Sequence, residues 1–254
     1  MVAEKKKVLH PPTKHISDEI LELAKKTSTA TITGTLELKG FRWNIYMAHV
    51  LPFKPGAILA GRAYTFRYLP RRDDLPSPGD YPQEEVGKYA RNLAIESLHP
   101  GDVLVVDARG NTNAAIFGDH LVARMKYLKA AGLVTDGALR DSPYMRNDDF
   151  PVFARGSHGY SHPHEHWAAD VQLPIACGEV TVFPGDLIVG DGDGVVVCPQ
   201  AIAEEVIKES VLKEQEEDFS RELLKKGYSV NDTHGRLSAS LQAEYQKWRK
   251  AHKL

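Results

Sequence analysis

Two short pairs, Gly118-Asp119 and Arg140-Asp141, close the two ends of the stretch FGDHLVARMKYLKAAGLVTDGALRD (117–141), which reads as one helix followed by one strand. Gly118 and Asp119 open the helix. The backbone N–H groups of a first helical turn have no partner inside the helix, so they can receive an anion such as a substrate carboxylate. Glycine keeps that approach open. Arg140 supplies fixed positive charge for an oxyanion that develops during a reaction. A single carboxylate such as Asp141 suits Mg²⁺, which keeps several waters and takes further oxygens from substrate. Asp119 could hold those waters or move a proton. The plain alternative is that Asp119 only caps a helix and that Arg140 and Asp141 form a surface ion pair in a turn. Spacing alone leaves both readings open.

The pairs can meet only if the elements between them return the chain to one edge. Residues 102–136 read as strand (DVLVVD), loop (ARGNTNAAIF), helix (GDHLVARMKYLKAA) and strand (GLVTD), a βαβ unit expected to be right-handed. Sites gather at the carboxyl ends of parallel strands, which would bring Arg140 and Asp141 near the helix start. Leu121, Met125 and Leu128 are expected to face the sheet. KPGAILAG (54–61), PGDVLVVD (100–107) and PGDLIVGD (184–191) each place a Pro-Gly turn before an apolar run, a repeated phrase that launches buried strands without a solenoid period.

Residues 1–15 read as a loose arm. SDEILELAKKTS is a capped helix, expected to bury Leu21, Ala24 and the stem of Lys25. AILAGRAYTFRYLP is strand-like, residues 71–83 are a proline-rich loop, and EEVGKYARNLAIESL is a helix. Further strands are expected at 150–154, 171–177, 180–183, 186–190 and 194–198. A charged helix follows Pro199, and a last amphipathic stretch closes the chain. The fold class is α/β with a mixed sheet, divided as arm 1–15, main domain 16–228 and C-terminal helical extension 229–254.

The 254 residues carry a net charge of −2, with 42% hydrophobic and 26% charged residues. That balance argues against a basic nucleic-acid surface, and no apolar run approaches the roughly 18 residues of a membrane span. The basic N-terminus lacks the apolar core of a secretory signal, so cytoplasm is the default. Cys177 and Cys198 sit in apolar runs and read as buried free thiols. His158, His162, His164 and His166 are either a zinc site, an acceptor-binding loop or an exposed cluster, with Pro163 against regular strand spacing. GDGDG (190–194) is a tight hairpin turn rather than a calcium loop. Lys126 and Lys129 are expected to face solvent, unlike a Schiff-base lysine. Tyr245, Trp248, Arg249 and Lys250 suit a packing helix at a subunit contact.

Gly-Asp, twenty residues, then Arg-Asp resembles the motif of the 4-hydroxy-4-methyl-2-oxoglutarate aldolase family, which also contains the RraA-like proteins (regulator of ribonuclease activity A). PGDVLVVDARGNTNAAIFGD, AAGLVTDGALRD, FPVFARG and CGEVTVFPGDLIVGDGDGVVVCP look like that family too, and the likeness spans about residues 55–225. The resemblance implies a swivelling β/β/α domain with C-terminal helices, assembled as a homotrimer or homohexamer. It implies a metal-dependent lyase that cleaves a 4-hydroxy-2-oxo acid to pyruvate or a related 2-oxo acid, with oxaloacetate decarboxylation as a side activity. By likeness, Asp141 sits at Mg²⁺ or Mn²⁺ and Arg140 contacts the pyruvate keto oxygen. Amides around Gly118, His120 and Leu121 hold the carboxylate, and Asp119 positions water and takes part in proton transfer. A glutamate of a neighbouring subunit completes the surroundings of the metal. Glu214, Glu216 and Glu217 are candidates, with Glu216 favoured.

The chain also departs from the family pattern. Tyr144 stands where the motif often continues with an acid, and Lys88 falls near an upstream asparagine of characterised aldolases. Acceptor-side specificity is therefore the part the resemblance does not carry. Two other readings remain: a non-catalytic RraA-like binding protein that regulates a ribonuclease, and a related lyase or hydrolase of sugar-acid breakdown that uses the histidine loop. No glycine-rich nucleotide loop follows a first strand, so nothing supports the methyltransferase label that some family members carry.

Overall fold

In the computed structural model, each of the three Pro-Gly pairs closes a four-residue turn. Ala57 N–H donates to Lys54 O (3.1 Å), Asp102 N–H to His99 O (3.0 Å) and Asp186 N–H to Phe183 O (3.1 Å). The glycines take φ of 76°, 84° and 88°. Proline at the second position and a positive-φ glycine at the third make a type II turn, so the repeated phrase marks where strands begin.

The structure describes residues 13–161, 164–233, 235 and 237–252. Most of the expected arm and His162 therefore lie outside the described residues. In chain order the elements are α1 (Asp18–Ala24), α2 (Thr29–Leu38), β1 (Tyr46–Met47), β2 (Leu51–Pro52), β3 (Leu59–Pro70), α3 (Ala90–Glu96), β4 (Asp102–Asp107), β5 (Ala115–Phe117), α4 (Asp119–Tyr127), β6 (Gly132–Leu139), α5 (Ser142–Asn147), β7 (Val152–Ser157), β8 (His166–Val171), β9 (Ile175–Cys177), β10 (Val180–Val182), β11 (Leu187–Gly190), β12 (Val195–Cys198), α6 (Ala203–Lys225), α7 (Val230–Thr233) and α8 (Ala239–Ala251).

One mixed sheet runs β1-β12-β11-β3-β4-β6-β7-β2, with β5 added on β6 and β8 on β3. The centre, β3-β4-β6-β7, is parallel, and the flanks are antiparallel. Alternation along the strands divides the core between two faces. Val103 and Val105 of β4 face a cluster with Ile175, Val180 and Phe153, while Leu104 and Val106 face the helix side with Phe66, Phe117 and Met125. A third cluster packs α1, α2 and the start of α6 on β11 and β12. Further along, α6 and α8 form their own small cluster through Phe219, Leu223, Leu241 and Tyr245. Phe219 lies 5.5 Å from Tyr245 and 5.8 Å from Trp248, centre to centre, so these aromatics are used inside one chain.

Several local expectations need correction. Lys25 is exposed and pairs with Glu22 (2.6 Å), while Ile20 takes the buried place beside Leu21 and Ala24. The predicted helix EEVGKYARNLAIESL is a 3-10 turn, Gln83–Lys88, and then α3. Tyr89 breaks it with extended backbone (ψ 124°) because its ring is drawn into the core. On α4, Val122 and Met125 are buried while Leu121 and Leu128 are half-buried. The single strand expected at 171–177 is the end of β8, a turn with Gln172 at φ 55°, and β9. Residues 191–194 do form a hairpin turn between β11 and β12, and Asp191 accepts from Thr29 N–H (2.8 Å) at the start of α2.

Candidate active site

The two halves of the motif meet through strand register. In the parallel β5–β6 pair Phe117 faces Leu139, so the next residues, Gly118 and Arg140, emerge side by side. Arg140 N–H donates to Phe117 O (3.0 Å) and pins this junction. The α4 helix then starts at Asp119 with Gly118 as its cap residue.

Gly118 is required by space rather than by dihedral angle. Its φ is −129°, which any residue adopts. A β-carbon there would lie 2.5 Å from Asp141 Oδ2 and 2.9 Å from Arg140 Nε. The missing side chain leaves the volume in which the carboxylate and the guanidinium sit.

Asp141 stands in the left-handed region (φ 59°, ψ 33°), which aspartate tolerates because its short side chain bonds locally. It is the cap residue of α5, yet its side chain does not cap that helix. The carboxylate turns back across the chain instead. Oδ2 accepts from Asp119 N–H (3.3 Å) and lies 3.2 Å from Arg140 Nε. Both contacts use Oδ2, which leaves Oδ1 available.

The first turn of α4 is partly occupied by its own acid. Asp119 Oδ1 accepts from His120 N–H (2.7 Å), so of the amides expected to hold a carboxylate, the one at His120 is already engaged. The Leu121 amide has no acceptor among the described residues. The pair of acids next to a helix start thus leaves one donor facing outward, beside the Arg140 guanidinium.

These residues border a cavity of about 240 Å³, lined by Gly118, Asp119, His120 and Arg140 together with Arg91 and Ser161. Asp141 does not line it, but its carboxylate contacts the Asp119 amide and Arg140, which do. Arg91 had no signal in the sequence. It comes from α3, whose Ala94 and Ile95 are buried among Val122 and Met125 of α4. Lys88, the residue near the expected upstream position, points elsewhere and pairs with Glu85 (2.8 Å). Tyr144 is exposed and likewise does not line the cavity.

A hard divalent cation fits this donor set in one manner. Among the described residues no three His, Cys, Asp or Glu side chains gather as metal ligands. A closed zinc site needs such a group. Mg²⁺ and Mn²⁺ do not: one free carboxylate oxygen, waters and substrate oxygens suffice. Asp141 Oδ1 meets that requirement.

The described histidines do not converge. His166 is buried in β8, with Nδ1 3.2 Å from Arg109 Nη2, and burial followed by that guanidinium pulls it down to about 4. The His158 ring accepts from Tyr160 N–H (3.2 Å), and His164 is exposed. His162 lies outside the described residues. Among the described residues of this segment, Ser161 reaches the cavity. Lys126 pairs with Asp148 (2.8 Å) and Lys129 is exposed, so neither has the desolvation a Schiff-base lysine requires. Cys177 and Cys198 are buried free thiols, pushed up by burial.

On α6, Glu214 accepts from Ser28 N–H (2.8 Å), and Glu217 lies 3.6 Å from Arg221. Glu216 has no hydrogen bond or ion pair among the described residues. It lines a separate groove against the C-terminal helices, away from the cavity of its own chain.

The family model described as "RraA-like: Aldolase/RraA" matches residues 13–197. A protein of Halalkalibacterium halodurans named "Putative 4-hydroxy-4-methyl-2-oxoglutarate aldolase" is 38% identical over 159 residues, covering 62% of this chain and 75% of that one. Among solved structures, an uncharacterized protein from Pseudomonas syringae superposes with a TM-score of 0.77 at 25% identity, over 89% of this chain and 97% of that one. Streptomyces coelicolor RraAS2, titled an unusual member of the RNase ES inhibitor RraA protein family, superposes with a TM-score of 0.71 at 32% identity, over 83% and 99%. Among the described residues no helix is long and apolar enough to cross a membrane. With a family model covering most of its length and this α/β fold, the chain belongs to the RraA-like family.

Proposed function

We propose that this protein is a divalent-metal-dependent aldolase that cleaves a 4-hydroxy-2-oxo acid to pyruvate or a related 2-oxo acid. The observation that carries the reading is the corner where Gly118 leaves room for Asp141 Oδ2 and Arg140 Nε beside the start of α4. The likeness to the Halalkalibacterium protein supports the aldol chemistry. Mg²⁺ or Mn²⁺ at Asp141 would act as a Lewis acid on the oxygens of the 2-oxo acid.

Every remaining step is assigned to the chain itself. The open amide at Leu121, with the backbone around Gly118, receives the substrate carboxylate. Arg140 donates to the C2 oxygen. When the proton leaves the C4 hydroxyl, the C3–C4 bond breaks and its electron pair becomes the enolate, with negative charge on that oxygen. A preorganised guanidinium contributes most at that point, because the charge is absent from the ground state. Asp119 Oδ1 is held by the His120 amide, and its second oxygen takes the proton of the C4 hydroxyl and returns it to C3 of the enolate. Protonation at C3 releases pyruvate. Decarboxylation of oxaloacetate passes through the same enolate and is the expected side activity. Glu216 from a neighbouring copy of a trimer or hexamer is the proposed additional acid near the metal.

The test is pyruvate release from a panel of 4-hydroxy-2-oxo acids with Mg²⁺ and with chelator. Metal-dependent release supports the reading, and absence of release from every member counts against it. The likeness to RraAS2 favours a second reading, a binding protein that regulates a ribonuclease. Ribonuclease inhibition by a preparation that turns over none of the panel would select it.

A further inference from the structure

Two arginines line this cavity, Arg140 and Arg91, and they differ in what neutralises them. Arg140 lies 3.2 Å from Asp141. Arg91 has no carboxylate partner among the described residues. Its Nε and Nη2 each lie 3.3 Å from Asn92 Oδ1, and its guanidinium carbon lies 5.4 Å from the centre of the Tyr89 ring. Both contacts are to neutral groups. The Asn92 amide is itself oriented by the Val86 carbonyl (3.1 Å) and Tyr89 is buried, so the guanidinium is braced.

Its setting makes that cation more costly to keep. Arg91 sits in the first turn of α3, where the helix field is positive and where this helix has no acidic residue. It is half-buried and lines the same cavity as Arg140. Asp119 shares that cavity without forming an ion pair with it. A braced, unneutralised guanidinium fork facing a cavity of about 240 Å³ is matched by the paired oxygens of a carboxylate or phosphate.

We infer that Arg91 is the specificity-determining residue for the acceptor half, acting by pairing its guanidinium with an anionic group there, a carboxylate or a phosphate. The inference rests on the aldolase reading for its placement at the acceptor side. Arg140 and the start of α4 are assigned to the 2-oxo acid half. Arg91, which lines the same cavity from another helix, takes the other end.

The test measures binding, so it does not depend on turnover. With Mg²⁺ present, calorimetry compares three ligands of similar length on the full-length protein: 2-oxopentanoate, 2-oxoglutarate and 2-oxo-4-phosphonobutanoate. 2-Oxopentanoate carries only the shared C1 carboxylate and reports the 2-oxo acid half alone. The wild type should bind at least one ligand with a second anionic group about 10- to 100-fold more tightly than 2-oxopentanoate, the range for losing a hydrogen bond to a charged group. Whichever anionic ligand is favoured identifies the group as carboxylate or phosphate. Arg91→Gln should erase that advantage while leaving 2-oxopentanoate affinity unchanged. Arg91→Lys should recover part of it, since a point charge replaces a fork.

A purely structural arginine would weaken all three ligands together, and that result overturns the inference. So does an anionic advantage that survives in Arg91→Gln, or no advantage in the wild type. If the advantage is present and Arg91-dependent but no 4-hydroxy-2-oxo acid is cleaved, the aldolase reading fails while the anion site stands.

Discussion

The corner at Gly118 and Asp141 and the histidine segment at 158–166 are both dense in groups that could do chemistry, and the fold treats them in opposite ways. At the corner, register carries the residues together: β5 lies along the end of β6, Arg140 N–H bonds to Phe117 O, and the chain reverses at Asp141 in a left-handed conformation. In the histidine segment the described rings are held at separate places rather than brought together. His166 belongs to β8 and is buried, His158 bonds to its own turn, and His164 is exposed. Proximity in sequence made the histidines conspicuous, while hydrogen-bonded strand ends made the corner a site.

The largest effect that separates the two regions is expected at Arg140. Removing one preorganised oxyanion donor lowers kcat by about 10² to 10³. Arg140→Ala should show that loss in pyruvate release, and Arg140→Lys should be damaged as well because an ammonium lacks the planar fork. Wild-type turnover in either variant would mean the guanidinium is not at the developing charge.

A smaller but more diagnostic effect belongs to Gly118→Ala. Backbone dihedrals at 118 accept alanine, so global stability should change little. The new methyl group must displace Asp141 Oδ2 or Arg140 Nε. A misplacement of this size can lower kcat/KM by about 10²-fold. Activity within twofold of wild type, with the melting temperature unchanged, would contradict the spatial requirement.

His166 is expected to affect stability alone. Its folded value of about 4 lies below its ordinary value, so between about pH 4 and 6.5 the unfolded chain binds more protons than the folded one. Its contribution therefore makes stability fall as pH drops through that window, by at most about 1.4 kcal/mol per pH unit, and vanishes above it. Asp107 and Asp186, raised by burial, act in the opposite sense at acid pH. Comparison of wild type with His166→Gln in denaturant melts isolates the histidine: the variant should lose that part of the slope. Identical pH profiles would show that the ring is not held neutral by the fold.

The same contrast explains how far the sequence could be read. Pro-Gly pairs at 55–56, 100–101 and 184–185 announce their turns locally, and the βαβ order at 102–136 is visible in the sequence, so the order of the elements around the motif was legible. The α2 helix was not, because TATITGTLEL is rich in β-branched residues, and its helix is stabilised by the Ser28 cap and by burial of Ile32 and Leu36. Three-residue β5 was hidden in a loop reading, since only pairing with β6 makes it a strand. Arg91 illustrates the general limit. Its place in the cavity comes from α3 packing on α4, a tertiary contact with no trace in local composition.

The most direct test of the account is pyruvate release by wild type and Asp141→Ala, each stripped with EDTA and then titrated with Mg²⁺ or Mn²⁺. The wild type should lose activity on stripping and regain it with either metal, whereas Asp141→Ala should remain folded and inactive at any metal concentration that saturates the wild type. Full turnover by metal-free wild type, or by Asp141→Ala, would contradict the central claim that this carboxylate holds the metal in an aldol cleavage.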